Sequence, residues 1–543
     1  MDAFKVIAAR LDIEAALRLG STRNDLLPPR PDDKVGGQVG RRFSAALKSE
    51  LERGRYRPDE ATFIAVPKGM FATRPAALMS LADRTVYAAV VESLRQRIES
   101  ALQRDSVVMW PRGVAGNTHW KQFERAPLAG SASHIVRADI SGFYESIPHD
   151  ALRDVLLRMT GRAEEVAALI EFLGAVMGAA RGVPQGYDGS DPLATAYLSS
   201  IDAEMIRHDL NYVRHGDDIR ISAIDFAEAR RALFLLERAV RRAGLMLNGT
   251  KSTVVRRTTY EKTLNATEQA IDSTRLRLRE LRREQLLEDE SKLVNVIKEA
   301  DREQLAWDFF YHHSVDLDDV IAALANELEP SDIVVAETLF AETLARAPGK
   351  KRPLPSDVFH QRITTALTRL AAGKSVAALS GVPEVMKTFP DKSDVVFSYL
   401  NSISGKDPQA VIQTVEAVIL GREFKTEWER AWQLRALSTS PTLLQAATVQ
   451  VIVALAADEE MPWIVRVESM KVLAQRNELE ADLPRKVWEL APIAHRADVV
   501  DAVLRIRPVP PWAEKFLLAA NEDPVCAVVI DRASTQISNS KAT

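Results

Sequence analysis

Residues 212–221 read YVRHGDDIRI and hold two adjacent aspartates, Asp217 and Asp218, between two short apolar runs. The pattern predicts two strands joined by a tight turn, with the aspartates at the tip of the hairpin. Neighbouring carboxylates repel each other, so a clustered pair needs a cation to stabilise it. The stretch therefore predicts a hairpin with a cation site at its tip.

A third aspartate stands in a similar position. Residues 137–147 read RADISGFYESI, in which a strand-like run leads into Asp139 and the aromatic pair Phe143-Tyr144 follows. Carboxylate oxygens of this kind suit Mg²⁺, which proteins usually hold through one or two carboxylates together with substrate phosphates. Two metal ions about 3.5–4 Å apart can activate an attacking hydroxyl and stabilise a leaving oxygen. The aspartates therefore indicate chemistry at a phosphate.

A glycine-rich segment lies between the two aspartate segments. Residues 182–186 read GVPQG, and Ser190 and the helical stretch 193–198 follow. Two glycines beside Pro184-Gln185 let the backbone approach a flat ligand closely before a helix begins.

Composition limits the class of protein. The chain has 543 residues, of which 46% are hydrophobic and 27% charged. These values are typical of a globular protein and exclude a disordered or fibrous one; the length predicts three or four domains. The net charge is −4, but residues 1–260 carry +5 and residues 261–543 carry −9. The basic half is weak evidence for a nucleic-acid partner.

The sequence predicts a cytoplasmic protein. Its single cysteine, Cys526, excludes an intrachain disulfide and a cysteine-rich zinc site, which suits a reducing compartment. No apolar run reaches the roughly 18 residues that a membrane span needs. The first residues, MDAFK, lack a secretory signal. We expect no membrane partner.

The periodicity changes along the chain. Strand-like runs at 134–140 and 218–224 alternate with helical stretches at 151–159 and 227–243, which predicts an α+β region. Helical patterns dominate from about residue 265, beginning with a charged helix at 274–289. A proline-rich linker is predicted at 348–355. The predicted domains are an N-terminal region, an α+β domain, a helical region and a helical repeat domain, at residues 1–130, 131–260, 261–345 and 346–543.

One pair of segments suggests repetition in the helical half. Residues 430–437 and 466–473 are similar in character and lie 36 positions apart. This spacing is typical of an α-solenoid of HEAT type. A plain all-helical domain fits the pattern equally well, and both alternatives stay open.

Four segments together resemble the palm motifs of reverse transcriptases, in the same order. They are Asp139 with Tyr144, Ile147, His149 and Leu152; residues 183–186 with Ser190, Leu193 and Ala194; residues 215–218; and residues 244–248 with Lys251. Upstream, residues 68–69, 74–75 and 83–86 resemble the fingers of that family. The resemblance covers roughly residues 60–257. It implies a right-hand polymerase of fingers and palm, followed here by an all-α, HEAT-like domain.

The resemblance assigns roles to individual residues. Asp139 and Asp217 would hold two Mg²⁺ ions, with Asp218 completing the carboxylate cluster and the carbonyl of Ile140 contributing. The nucleotide-binding residues would be Lys68 and Arg74 on the triphosphate, Tyr144 under the sugar, Gln185 in the nucleotide pocket and Lys251 near the departing pyrophosphate. The substrates would be deoxynucleoside triphosphates, and the partner would be RNA, DNA or both.

Two departures from the family pattern leave alternatives open. Asp191 stands between Ser190 and Pro192, where the family has proline directly after serine. Gly216 before the two aspartates is commoner in RNA-dependent RNA polymerases. The bulky ring of Tyr144 argues for DNA synthesis, because it would block a 2′-hydroxyl. The alternatives are an RNA-dependent RNA polymerase and a non-catalytic RNA-binding or assembly scaffold on a polymerase palm.

The long helical half resembles one subgroup of the family. A palm followed by nearly 280 residues of helices looks like the abortive-infection and defence-associated reverse transcriptases of bacteria. That likeness implies a role in antiphage defence, and it admits synthesis without a template or from a protein primer. The acidic helical half fits poorly as a nucleic-acid clamp and would instead serve self-assembly or bind a partner. A noncoding RNA is a further candidate partner of the protein.

Overall fold

The structure is a computed structural model. It describes residues 2–20, 24–33, 35, 37–69, 71–102, 116–288, 294–297, 303–310, 312, 319–320, 323–324, 329–439 and 442–542. No helix within these ranges is long and apolar enough to cross a membrane.

The chain forms two compact units. One contains residues 1–261 and 419–543, and the other contains residues 262–418. The predicted repeat domain of residues 346–543 is thus divided between the units. The junction at 261 lies beside the predicted boundary at 260, whereas the junction at 418 falls within a run of helices that the sequence does not divide.

Two antiparallel sheets lie in the first unit. The strands are β1 (Thr62–Lys68), β2 (Ala72–Leu78), β3 (His134–Asp139), β4 (Asn211–His215), β5 (Asp218–Ala223) and β6 (Thr253–Arg256). Strands β1 and β2 form a hairpin, and the other four form a sheet in the order β4-β5-β3-β6. The strands predicted at 134–140 and 218–224 are confirmed as β3 and β5.

Helices surround the sheets. Those that begin before residue 262 are α1 (Ala3–Ile7), α2 (Ile13–Gly20), α3 (Gly37–Arg53), α4 (Leu81–Ala101), α5 (Gly116–Arg125), α6 (Phe143–Ser146), α7 (His149–Thr160), α8 (Ala163–Met177), α9 (Ser190–Arg207), α10 (Phe226–Arg242) and α11 (Arg257–Leu264). Short 3₁₀ turns occupy Ala8–Arg10 and Ala126–Leu128. The helices predicted at 151–159 and 227–243 are confirmed as α7 and α10.

Helix α10 shows why these segments fold as they do. The Asp225 carboxylate caps its first turn by accepting a hydrogen bond of 2.7 Å from the backbone N–H of Glu228. Its small and apolar side chains recur every three or four residues and are buried: Ala229, Ala232, Leu236, Ala239 and Val240. That face packs on β3 and β5, so the apolar stripe holds the sheet from one side.

The second unit is helical where the structure describes it. Its helices are α12 (Ala266–Glu288), α13 (Glu303–Phe310), α14 (Asp332–Leu344), α15 (Ser356–Ala372), α16 (Val382–Thr388), α17 (Ser393–Ile403) and α18 (Pro408–Leu420), the last crossing the unit boundary. Further 3₁₀ turns occupy Leu379–Gly381 and Pro390–Lys392. The charged helix predicted at 274–289 lies within α12, except that Asp289 falls outside the described residues. The predicted linker 348–355 connects α14 to α15.

The last helices return to the first unit. They are α19 (Glu427–Leu437), α20 (Ala446–Ala457), α21 (Trp463–Gln475), α22 (Asp482–Leu490), α23 (Ile493–Leu504), α24 (Pro511–Ala520) and α25 (Pro524–Ala542). Helix α19 packs on α21, α21 on α23 and α23 on α25. The two segments of the suggested repeat lie in α19 and α21. The HEAT-type assignment stays a prediction.

These helices also contact the N-terminal part of the unit. Helix α19 packs on β1, and α25 packs on α3. The indole N–H of Trp428 donates a hydrogen bond of 2.6 Å to the carbonyl of Leu26, and the Glu427 carboxylate accepts one of 2.6 Å from the backbone N–H of Ala65. Residues far apart in sequence therefore share one core.

Candidate active site

Strand register brings the three aspartates to one end of the four-stranded sheet. Asp139, the last residue of β3, lies directly opposite Asp218, the first residue of β5. Strands β4 and β5 are joined through Gly216 and Asp217, and Gly216 has φ +59°. That left-handed backbone favours glycine. The hairpin predicted from residues 212–221 is confirmed.

Asp139 is held by the segment that precedes β6. The Asn248 amide donates a hydrogen bond of 3.1 Å to Asp139 Oδ2, and Lys251 Nζ lies 3.4 Å from Asp139 Oδ1. The backbone N–H of Asn248 donates to the Asp139 carbonyl at 2.7 Å. The predicted residue Lys251 is thus beside the first aspartate. Asn248 belongs to the fourth quoted motif, but the sequence assigned it no role.

Like charges dominate the hairpin tip. Burial, followed by the proximity of Asp218 and Asp139, raises the pKa of Asp217 to about 6. Burial also raises the pKa of Asp218, although the guanidinium of Arg220, 3.6 Å away, opposes that rise. The protein's own cations leave these carboxylates only partly compensated, and a bound cation would relieve the repulsion.

The donor chemistry fits a divalent metal ion, although the side chains do not form a finished site. Three carboxylates at one sheet end supply the hard oxygen ligands that Mg²⁺ prefers. Within the described ranges, however, no group of three His, Cys, Asp or Glu side chains is placed to hold a metal ion. Asp139 instead faces Asn248 and Lys251. Metal binding at these residues is therefore a proposal.

Tyr144 has a partner that its motif did not predict. Its hydroxyl donates a hydrogen bond of 2.7 Å to Asp191 Oδ1. Burial, and then the nearby Asp191 charge, raises the pKa of Tyr144, and the charge of Asp217 acts in the same direction. The ring thus lies near the aspartates. The residue that interrupts the serine–proline pair of the family pattern is the one that contacts this tyrosine.

The loop that carries Gln185 is fixed on both sides. Asn24 donates hydrogen bonds of 2.9 Å to the Gln185 carbonyl and 2.8 Å to the Ala77 carbonyl. Gly186 has φ +97°, and a Cβ there would lie 1.9 Å from Asn24 Oδ1, so only glycine fits. The Ser190 hydroxyl closes the loop by donating to the Pro184 carbonyl at 2.5 Å. Nothing in the sequence around Asn24 indicates this role.

Lys68 and Arg74 share one face of the β1–β2 hairpin. Lys68 pairs with Ala72, and Arg74 pairs with Val66, so the alternation along each strand puts both cations on the same side. The charge of Lys68 reaches Asp217, whose pKa it acts to lower. Among the described residues, no hydrogen bond or ion pair joins Arg74 to the three aspartates. Lys68 therefore lies near the aspartates. Arg74 lies on the same face of the hairpin as Lys68.

A buried ion pair supports the aspartate hairpin. Arg214 is 1% exposed, and its Nε and Nη2 donate hydrogen bonds of 2.8 Å to the two carboxylate oxygens of Asp202 on α9. Its Nη1 donates to the carbonyl of Gly216 at 3.2 Å. The sequence of β4, NYVRH, does not identify Asp202 as the partner of this arginine. A single histidine beside a hairpin is expected to be packed or to face solvent, and His215 packs edge-on against Trp120 with 5.2 Å between ring centroids.

Comparison with known proteins agrees with this geometry. Residues 66–277 match the family model described as "Reverse transcriptase (RNA-dependent DNA polymerase)". The chain matches no curated protein. The matched range is less than half of the chain and contains all of the predicted site residues, from Lys68 to Lys251. The chain thus carries a reverse transcriptase domain at residues 66–277, which indicates that the protein is an RNA-directed DNA polymerase.

Proposed function

We propose that this polymerase is Mg²⁺-dependent and adds deoxynucleotides to a primer 3′-hydroxyl at Asp139, Asp217 and Asp218. The observation that carries the proposal is the pairing of Asp139 with Asp218 across β3 and β5, with Asp217 at the adjoining hairpin tip. Both segments lie inside the matched domain.

The three carboxylates would hold the metal ions, and the carbonyl of Ile140 would add a fourth oxygen. When bound, two Mg²⁺ ions supply charge that lowers the pKa of the primer hydroxyl and offsets the charge of the departing pyrophosphate. Asn248 and Lys251 would orient the Asp139 carboxylate, because both contact its oxygens. Lys251, 3.4 Å from Asp139 Oδ1, would also help the pyrophosphate to leave.

The nucleotide would lie between the fingers hairpin and the palm. Lys68 and Arg74 would contact the triphosphate, since both are cations on one hairpin face and Lys68 acts on Asp217. Gln185 would line the pocket from a loop that Asn24 fixes. Tyr144 would lie under the sugar, where its ring leaves no room for a 2′-hydroxyl. This reading favours DNA synthesis over RNA synthesis.

A role in bacterial antiphage defence is the further part of the proposal. The helical second unit and helices α19–α25 support it, because a long helical region after the palm distinguishes that subgroup. In this reading the helical part is HEAT-like and serves self-assembly or binds a partner, and a noncoding RNA is a further candidate partner of the protein. The mode of priming is left to experiment.

The proposal is tested by incorporation of labelled deoxynucleotides by the purified protein with Mg²⁺. We expect Asp217→Asn/Asp218→Asn to abolish incorporation while the circular dichroism spectrum stays that of the wild type. Asp154→Asn, an exposed aspartate on α7, is the matched control and should retain full activity. Undiminished incorporation by the double variant would contradict the assignment.

The same assay distinguishes the modes of synthesis. Incorporation that requires added RNA template and primer would support ordinary reverse transcription. Product made without template, or product that migrates with the protein in a denaturing gel, would support the defence-type reading. A wild-type protein that neither incorporates nucleotides nor gains thermal stability from deoxynucleotide and Mg²⁺ would favour the scaffold alternative.

A further inference from the structure

A polar cavity lies where the N-terminal and C-terminal parts of the first unit meet, within one compact unit. Its volume is about 260 Å³. The wall consists of a loop near residue 30 and of α19, α23 and α25. The lining residues that bear charge are Arg30, Arg435, Asp501, Arg505 and Arg532. Four guanidinium groups and one carboxylate on a single wall favour an anionic ligand.

The arginines of the wall are paired to different degrees: carboxylates balance Arg505 and Arg30, and the positive charge of the wall comes mainly from Arg435 and Arg532. Arg505 donates a hydrogen bond of 3.0 Å to Asp501 Oδ2, so the carboxylate that lines the cavity is already paired. Arg435 lies 3.5 Å from Glu468, a carboxylate that accepts a shorter hydrogen bond of 2.9 Å from Lys471. Among the described residues, Arg532 has no carboxylate partner; its Nη1 donates to the carbonyl of Pro31 at 3.0 Å.

Arg30 anchors the cavity from the N-terminal side. Its side chain is 9% exposed, and its Nη2 lies 3.0 Å from Asp498 Oδ2. Its Nη1 is buried and has no hydrogen-bond partner within the described part of the chain. A buried, unsatisfied guanidinium N–H is costly. Asp498 and Asp32, whose Oδ1 lies 3.5 Å from Arg30 Nε, already balance the charge of Arg30. An acceptor oxygen on a bound ligand would satisfy the remaining Nη1 group.

We propose that this cavity binds a small polyphosphate anion, either free pyrophosphate or the phosphate tail of a nucleotide. Guanidinium groups match phosphate oxygens in pairs, and arginine is the residue best suited to that contact. The volume holds a diphosphate group but lies below that of the pockets that enclose whole drug-sized ligands. Arg505 keeps 35% of its side chain exposed, so the wall can be reached from solvent.

The ligand would strengthen a link between distant parts of the chain. Arg532 and Arg435 belong to C-terminal helices. Arg30 belongs to the N-terminal segment, in which nearby Asp32 lies 3.0 Å from Arg84 on α4. An anion bound to Arg30 and Arg532 would therefore join the C-terminal helices to the segment that contacts α4. This site is separate from the palm aspartates and does not depend on the proposed polymerase reaction.

The test is isothermal titration of the full-length protein with pyrophosphate, in EDTA so that metal-dependent binding at the palm is suppressed. We expect binding to the wild type and binding at least about tenfold weaker in Arg532→Gln and in Arg435→Gln. Arg485→Gln removes an exposed arginine of α22 that does not line the cavity, and it should bind like the wild type. A deoxynucleoside triphosphate titrated in parallel distinguishes a nucleotide tail from free pyrophosphate.

Folding and anion specificity are checked separately. Arg532→Lys keeps the positive charge and should recover part of the affinity, and melting without ligand shows whether each variant is folded. Loss of affinity in a folded Arg532→Gln protein supports the site. Unchanged affinity in both glutamine variants, absence of pyrophosphate binding to the wild type, or equal affinity for sulfate would overturn the proposal.

Discussion

At the scale of single residues, Tyr144 is the clearest candidate for sugar selection. Its ring lies near Asp217, and its hydroxyl is fixed by Asp191. We expect Tyr144→Ala to admit ribonucleotides and to lower the discrimination between deoxy- and ribonucleotides by at least about tenfold, because the obstructing ring is gone. The measurement is the ratio of kcat/KM for the two nucleotide types.

The matched control is Tyr144→Phe, which keeps the ring and loses only the hydrogen bond to Asp191. It should preserve most of the discrimination. If the alanine variant selects nucleotides as the wild type does, Tyr144 is not the gate, and the RNA polymerase alternative gains support.

Asp83 is a residue whose effect on stability depends on pH. Its side chain is 2% exposed and accepts hydrogen bonds of 2.7 Å from Ser80 and Tyr56. Burial raises its pKa to about 6 from an ordinary value of 3.8. Between about pH 4 and pH 6 the folded state therefore keeps a proton that the unfolded state has lost. Stability decreases as pH rises through this window, and the penalty is constant above it.

We expect Asp83→Asn to remove that penalty, because a neutral amide can still accept from Tyr56. The variant should exceed the wild type in unfolding free energy by on the order of 2 kcal/mol at pH 7 and by almost nothing at pH 4. Urea unfolding of both proteins across this range measures the difference. A difference that does not change with pH would show that Asp83 titrates normally.

At the scale of elements, the β4–β5 hairpin depends on the Arg214–Asp202 pair beneath it. We expect Arg214→Met to destabilise the protein by about 3–5 kcal/mol, because Asp202 would stay buried without its cation. Arg214→Met/Asp202→Leu should recover much of this loss, since no buried charge is then left alone. Arg231→Met, an exposed position on α10, is the control. Equal stability of the single variant and the control would contradict a buried pair.

Part of the fold around the aspartates could be predicted from the sequence. The hairpin at 212–221 and the strand at 134–140 could be predicted, because alternation, a glycine and a pair of aspartates are all local signals. The proximity of Asp139 to Asp218 could be predicted only from the family resemblance, because neither segment by itself indicates which strands are neighbours in the sheet. Asn24, which fixes the Gln185 loop, and Asp191, which holds Tyr144, act through contacts distant in sequence, and no local pattern reveals them.

At the scale of the whole molecule, α19 is the helix that joins the C-terminal part to β1. Trp428 is 3% exposed and bonds to the Leu26 carbonyl. We expect Trp428→Ala to cost about 3–5 kcal/mol and to raise amide hydrogen exchange in residues 24–33 and 62–68. Trp307→Ala removes a half-exposed tryptophan of the second unit and should leave exchange in those residues unchanged. Protection of residues 24–33 that survives Trp428→Ala would show that α19 does not stabilise them.

The boundaries of the compact units explain why the predicted domains could not follow packing. Residues 262–418 form a unit inserted between two parts of the other. The junction at 261 lies beside the predicted boundary at 260, because the strand-like patterns end there. Helical periodicity continues across the junction at 418, so no change of pattern marks that one. Only the return of α19–α25 to the N-terminal segment distinguishes the units, and that return consists of contacts such as Arg30 with Asp498.

The pairing of Arg30 with Asp498 also affects the order of events during synthesis. A ribosome makes proteins from the N-terminus at about 5–20 residues per second, so residue 30 waits for tens of seconds before residue 498 exists. Throughout that interval the surface that later receives α19 and α23 is exposed to solvent or to a chaperone. The inserted unit, made in between, has time to fold first. The first unit would therefore complete its fold only near the end of translation.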